Sequence, residues 1–484
     1  MSDSAGVQIP EVDGNRSTSA LGRAVVGDAL RAADPVGCAA VARETNWRRG
    51  YLTHFRRLVE AGATDPVAAT TIARDGLTSL QSRMQASTDG EVIPLADLLR
   101  AARPARTMRS QTITGTAEPE TETELTIPHD GRRLRGQELR DQLHAWAADG
   151  VLEPGAVTAL EQVIDHPEWL PLAGETVLAL GAASEMGPVR SLLRWGAHVA
   201  AIDLPRPQLW RDVLSTAASS AGRLTYPIDG ATGQDVPGAD LLHNLPEVTQ
   251  WIAELTGHLV LGNYLYADGA VNLRLAAAAD ALSTYLHAAR GDLSMAWLAT
   301  PTDVFAEPGA VVDASTAAYE RRTPLRRLRP VGRAASGGRL LQRNYSPGED
   351  PGINDSVVLQ QGPNYLLAKR VHRWRAVTAR ADGVTVSMNV APPTRTRSVL
   401  QNRLLASAYA GAHRFGVTVF APSTSATLMA ALLVHDLCAE LPPQQAPWRD
   451  EAAEAVHGGL WRGPYDPRSA LGIAMVLGLG NRRG

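Results

Sequence analysis

Tyr365 and Lys369 stand four residues apart, and Lys369 is the only lysine in a 484-residue chain with 47 basic side chains. With ten tyrosines among 484 positions, a randomly placed lysine falls four residues after one of them about once in fifty. Arginine takes over most surface roles of lysine, but it cannot supply a compact ammonium that tunes a neighbour. Residues i and i+4 share a helix face, so the two side chains can meet in one cleft. A nearby ammonium favours phenolate and lowers the tyrosine pKa. The hydroxyl can then pass a proton to or from a substrate oxygen. The plainer alternative is a chance pair on a wet helix face.

A second group lies upstream. The apolar run Thr176–Leu180 reads as a buried parallel strand and ends in the turn Gly181-Ala182-Ala183-Ser184-Glu185-Met186-Gly187. A helical pattern follows through Val189, Leu192, Leu193 and Trp195, and His198–Ile202 reads as a second strand ending at Asp203. Strand, glycine turn, helix, strand and acid make half of a dinucleotide-binding unit. Glycine lets the backbone approach a pyrophosphate closely, and a carboxylate about 20 residues on can accept ribose hydroxyls. The spacing is GxxxxxG, so an ordinary βαβ unit with a tight turn stays open.

Further strands are expected at Leu224–Asp229, His258–Asn263, Leu293–Ala299, Gly383–Val390 and Gly416–Phe420, with helices at 208–217, 246–255, 271–289, 363–379, 398–410 and 427–437. This alternation predicts an α/β, Rossmann-like, doubly wound parallel sheet with right-handed crossovers. Residues 305–360 interrupt the rhythm with an arginine-rich stretch, read as a solvated or partner-bonded face, with anion binding as the sharper alternative. Upstream, residues 1–30 read as frayed. Helices are expected from Pro35 to Gly62, from Pro66 to Met84 and from Pro94 to Ala102. The expected organisation is an N-terminal helical domain (1–103), a linker (104–125), a small helical segment (126–172), the sheet domain (173–445) and a C-terminal extension (446–484). The N-terminal helices should be separable from the site in chemistry but not in stability.

Composition excludes several classes. A formal charge of -3 gives no reason to expect nucleic acid. Cys38 and Cys438, 400 residues apart, suggest neither a disulfide scaffold nor a thiolate metal site, and no metal is expected. Met1–Asn15 has no apolar core, so no signal peptide is expected, and Ala470–Leu479 is too short to span a bilayer. A cytoplasmic, homo-oligomeric protein acting on a small molecule is the expectation.

From about Glu175 to Phe420 the chain resembles a divergent short-chain dehydrogenase/reductase. The Gly181 turn, through Ser184, Glu185, Met186 and Gly187, resembles the family's coenzyme loop. Asp203 resembles the acid after the second strand, and Asp229 the adenine-contacting aspartate after the third. Asn263 falls where the family has asparagine-alanine-glycine, and Tyr365-Leu366-Leu367-Ala368-Lys369 matches the tyrosine–three–lysine motif. Asn389–Thr396, with Pro392 and Thr396, resembles the segment that holds the nicotinamide amide. The resemblance implies NAD or NADP as cofactor and Lys369 as a second grip on the ribose. Thr300 or Thr302 would stand in for the catalytic serine.

The chain also departs from the family. Threonine replaces serine, Tyr264-Leu265 replaces alanine-glycine and Pro393 replaces a usual glycine. More than sixty residues separate Thr302 from Tyr365, far more than in the family. The reading is an NAD(P)-dependent oxidoreductase acting on an alcohol or carbonyl, with NAD slightly preferred through Asp203 and Arg206 able to reverse that choice. The alternatives are a catalytically altered nucleotide-binding scaffold, or a dehydratase or epimerase on the same fold.

Overall fold

Six strands carry the fold of this computed structural model: β1 (Glu175–Leu180), β2 (His198–Ile202), β3 (Arg223–Asp229), β4 (His258–Asn263), β5 (Leu293–Ala299) and β6 (Val386–Val390). They pair in parallel in the order β3-β2-β1-β4-β5-β6. The order reverses beside β1, which is the crevice where this architecture binds ligands. The structure describes residues 6–12, 14–88, 91–101, 104–115, 122–229, 235–321, 324–439 and 446–480.

The strands are apolar along almost their whole length because both faces are covered. One face buries helices α1 (Thr18–Leu30), α2 (Trp47–Thr64), α3 (Pro66–Arg83), α5 (Gly269–Ala289) and α6 (Gly362–Ala381) in a single core. The opposite face takes α4 (Val189–Arg194), α8 (Pro422–Cys438) and the helices Gly136–Ala148 and Pro154–Asp165. The remaining labelled helices are α7 (Arg403–Gly411) and α9 (Pro467–Gly480), which pack on each other near the strand ends. No helix among the described residues is long and apolar enough to cross a membrane.

Several expectations are corrected. Residues 18–30 form a helix, not a frayed end: Ser17 caps it by accepting from Ala20 N–H, and Leu21, Val25, Val26 and Leu30 are buried. The helix expected over 35–62 breaks at 43–46 into Pro35–Ala42 and α2. Arg109–Thr114, read as linker from its polarity, is a strand that pairs antiparallel with β3. Its side chains are mostly exposed, so it needs little hydrophobicity. Residues 116–121 lie outside the described part.

Gly416–Phe420 does not form a seventh strand. It makes one bridge, Thr394 with Phe420, while Val417 N–H turns back to Ala412 O at 3.2 Å and Thr418 N–H goes to Gly458 O at 2.9 Å, so only Phe420 pairs beside β6. The insertion after β5 is folded: Val304–Glu307 pairs antiparallel with Gly352–Asp355, and two helices lie between them. Two of its arginines stack on Tyr319, with Arg329 at 3.7 Å and Arg343 at 4.3 Å from the ring centroid.

Candidate active site

The expected residues fall at the C-terminal ends of β1, β4 and β5, in the first turns of α6, at the ends of β2 and β3, and in the segment after β6. Gly181 closes β1 with φ +88°, and its N–H donates to Ile202 O at 2.8 Å. A Cβ there would lie 2.9 Å from Tyr264 O, so two requirements select glycine. The turn continues as Ser184 N–H to Gly181 O at 3.0 Å and Gly187 N–H to Ser184 O at 3.2 Å, with Met186 partly buried.

Asp203 ties this turn to the end of β2. One carboxylate oxygen accepts from Ala183 N–H at 2.9 Å and the other from Leu204 N–H at 2.8 Å. Burial raises its pKa, and the two amides and the Arg206 charge oppose that rise. Each oxygen keeps a lone pair for a further donor. Asp229 ends β3, and its side chain lies outside the described residues.

Glu185 meets the segment after β6. Its carboxylate accepts from Arg397 N–H at 2.8 Å and from Arg397 Nε at 2.9 Å. The glycine turn and the Pro392–Thr396 segment are thereby joined across the strand ends. Pro392 is buried, with its carbonyl accepting from Thr394 Oγ1 at 2.8 Å, while Thr396 Oγ1 lies 3.0 Å from Ser398 Oγ.

Tyr365, Lys369 and His372 occupy positions i, i+4 and i+7 of α6 and so share a face. The Thr300 side chain stands beside the Tyr365 hydroxyl and lowers its pKa. Thr300 Oγ1 lies 2.9 Å from Thr302 Oγ1, which accepts from Gln361 Nε2 at 2.8 Å. Thr300 is therefore the hydroxyl beside the tyrosine, and Thr302 supports it. Lys369 Nζ donates to Leu298 O at 3.2 Å and sits 6.0 Å from the Tyr365 ring centroid. Asn263 lies 3.2 Å from His372 Nε2 through Nδ2 and accepts from Leu265 N–H through Oδ1 at 3.2 Å.

Burial governs the electrostatics. It lowers the Lys369 pKa to about 8, against a smaller upward pull from Asp303. It also holds His372 well below the ordinary histidine value, with the Lys369 charge adding to the effect. Tyr365 moves opposite to the expectation: burial of the phenolate raises its pKa, and the neighbouring Thr300 hydroxyl only moderates that. The ammonium is directed at Leu298 O and is not among the groups that shift the phenol.

Four residues that sequence reasoning missed, Asp303, Arg370, Arg373 and Glu451, hold α6 in place. Asp303, fully buried after β5, accepts from Arg370 at 3.0 Å and Arg373 at 2.9 Å, and Arg373 also grips Glu451 through two nitrogens. Two arginines among 46 carry no visible signal in the sequence. His372 does carry one, since it continues the Tyr365–Lys369 stripe by three residues.

A small cavity of about 90 Å³ opens beside this group. Thr302 and Pro393 form its inner wall, and Val357, Tyr409, Phe415 and Leu471 contribute apolar surface from the insertion, α7, the following turn and α9.

No protein-family model and no curated protein matches the chain. Solved structures match in part. One is the A-type ketoreductases from a modular polyketide synthase, at 16% identity over 54% of this chain and 46% of that chain, TM-score 0.30. Another is an oxidoreductase of the short chain dehydrogenase/reductase family from Burkholderia thailandensis, at 16% identity over 60% of this chain and 93% of that one, TM-score 0.32. A third is the terminal R domain from the myxalamid PKS-NRPS biosynthetic pathway, at 13% identity over 59% and 68%, TM-score 0.29. At such values these likenesses carry no argument about chemistry, and the Rossmann-like fold stands on the strand order itself.

Proposed function

We infer that the protein is an NAD(P)-dependent oxidoreductase of the short-chain dehydrogenase/reductase type, working on a carbonyl or alcohol with an apolar substituent. One observation carries the reading. The Tyr365 hydroxyl has Thr300 beside it at the end of β5, with Lys369 one turn along the same helix face and held at Leu298 O.

The dinucleotide fits the residues present. Asp203 keeps lone pairs beyond those the turn uses, and Gly181 lets the turn pass tightly against Tyr264 and Leu265 at the end of β4. Gly181, Ser184, Met186 and Gly187 would bound the pyrophosphate, Asp203 and Asp229 the adenosine half, and Lys369, Pro392 and Thr396 the nicotinamide half. When bound, the nicotinamide supplies or accepts the hydride.

The chain's own residues handle the proton. Thr300 and Tyr365 direct two hydroxyls at one substrate oxygen, and the raised Tyr365 pKa keeps the phenol protonated at neutral pH. A developing alkoxide is the stronger base and takes that proton, so the resting state is set for carbonyl reduction. Lys369, with its pKa near 8, holds its ammonium at Leu298 O one turn from the phenol, on the side where the nicotinamide ribose would lie. His372 and Asn263 form the next link inward. The apolar cavity beyond Thr302 would take the substituent. All of these side chains come from residue 173 onward, which supports treating the N-terminal helices as separate in chemistry.

The test is reduction of a panel of small ketones and aldehydes by NADH or NADPH, run with the chain and with Tyr365→Phe. Turnover that depends on the Tyr365 hydroxyl supports the reading. Failure of both cofactors to bind at millimolar concentration would sink it.

A further inference from the structure

On the face of the sheet away from α6, three titratable side chains converge without satisfying one another. His435 and Asp436, near the end of α8, are 3% and 7% exposed, and Glu454 reaches them from beyond the helix Pro447–Ala453. His435 Nδ1 lies 3.5 Å from Asp436 Oδ1 and 3.5 Å from Glu454 Oε2. All three atoms fall within 4.8 Å of one another. His435 Nδ1 and Glu454 Oε2 have no hydrogen-bond partner.

Their other sides are fixed. His435 Nε2 lies 3.0 Å from Gln162 Oε1, to which it donates, and this leaves the Nδ1 lone pair facing two carboxylates. Asp436 Oδ2 accepts from Asn389 Nδ2 at 2.7 Å. A lone pair and two carboxylates turned on one point repel each other unless a positive charge lies between them.

A proton on Nδ1 is one candidate charge. Burial disfavours an imidazolium, but Asp436 and Glu454 outweigh that and raise the His435 pKa to about 9. The distances fit a proton poorly, because an N–H···O bond spans about 2.7–3.2 Å. A metal ion fits better. Bonds of about 2.0–2.1 Å at the tetrahedral angle put neighbouring ligand atoms about 3.4 Å apart. The outer hydrogen bonds from Gln162 and Asn389 are the kind that orient a histidine and a carboxylate on a metal.

We propose that His435 Nδ1, Asp436 Oδ1 and Glu454 Oε2 bind one divalent transition-metal ion of the zinc class. One imidazole nitrogen and two carboxylate oxygens suit such an ion, and a fourth position is left for water. The ion links α8 to the segment after residue 446 and, through Asn389, to β6. This site rests on no step of the oxidoreductase reading, so either can fail alone.

The test uses the full chain, produced without a histidine tag, dialysed against chelator and titrated calorimetrically with Zn(II). X-ray absorption is recorded on the loaded protein. The expected result is one ion per chain with one imidazole and otherwise oxygen donors. Gln162→Ala, on the exposed side of the imidazole, should weaken binding about tenfold or more, and Glu454→Gln at least as much. Absence of stoichiometric binding, an affinity unmoved by both substitutions, or a shell with several imidazoles would overturn the proposal in favour of the proton. If either variant fails to fold, the absorption spectrum of the unaltered protein decides.

Discussion

Replacing Lys369 with methionine removes a desolvated charge from a site of similar shape, and its energetic signature depends on pH. Burial lowers the Lys369 pKa from 10.5 to about 8. That gap, at about 1.4 kcal/mol per pH unit, is roughly 3 kcal/mol. Below pH 8 the lysine is charged in both states, and the folded protein bears the whole cost. Between pH 8 and 10.5 the folded lysine is neutral while the unfolded one still holds its proton, so stability rises with pH. Above 10.5 the cost is gone.

Methionine has no such dependence. The unfolding free energy of the natural chain minus that of Lys369→Met should therefore climb by about 3 kcal/mol from pH 7.5 to 10.5. At pH 7 the two should be close, because losing the bond to Leu298 O costs about 1.5–3 kcal/mol and offsets the relief. Urea unfolding at a series of pH values measures the difference, and common titrations cancel. A difference flat to within about 1 kcal/mol would mean a hydrated ammonium. Lys369 would then not be tuned by its surroundings.

The other expectations concern the same region. Lys369→Arg keeps the charge but not the compact shape, and should lower turnover on the order of a hundredfold once a substrate is in hand. Tyr365→Phe should cost a similar factor while the cofactor dissociation constant, read by calorimetry, stays within about twofold. Titration with NADH and NADPH should favour NADH through Asp203; a preference for NADPH would show that the exposed Arg206 outweighs it. Asp303→Ala leaves Arg370 and Arg373 buried without their shared carboxylate and should destabilise the fold by about 3–5 kcal/mol in chemical denaturation. A loss under 1 kcal/mol there would show that water reaches the pair.

The parallel strands were legible because burial on both faces writes itself as unbroken apolar runs. His258–Asn263 and Leu293–Ala299 begin and end where the sequence suggests. The Tyr365–Lys369 pair was legible because lysine is so rare here. What was not legible depends on contacts far apart in sequence. Arg109–Thr114 is polar and becomes a strand only because β3 offers its edge. Gly416–Phe420 has strand-like residues, but its amides at Val417 and Thr418 are taken by Ala412 and Gly458. The direction of the Tyr365 pKa turned on how deeply the phenol is buried and where the ammonium is aimed, and neither is written in a spacing. The His435–Asp436–Glu454 cluster joins positions eighteen residues apart through a fold that no local pattern announces.

The packing of α3 on α6 has a consequence for how the chain is made. Gly76 faces the ring of Trp374 so closely that a Cβ would sit 2.4 Å from it, and Arg74 pairs with Asp382 at 2.8 Å. These partners are 298 and 308 residues apart in sequence. At about 5–20 residues per second, the first helices leave the ribosome roughly 15–60 seconds before the surface they cover exists. During that interval Ile72, Leu77 and Leu80 have only their helical neighbours to hide against. Ribosomes halted before α6 should therefore carry a chain that binds chaperones strongly and lets it go once residue 382 has emerged.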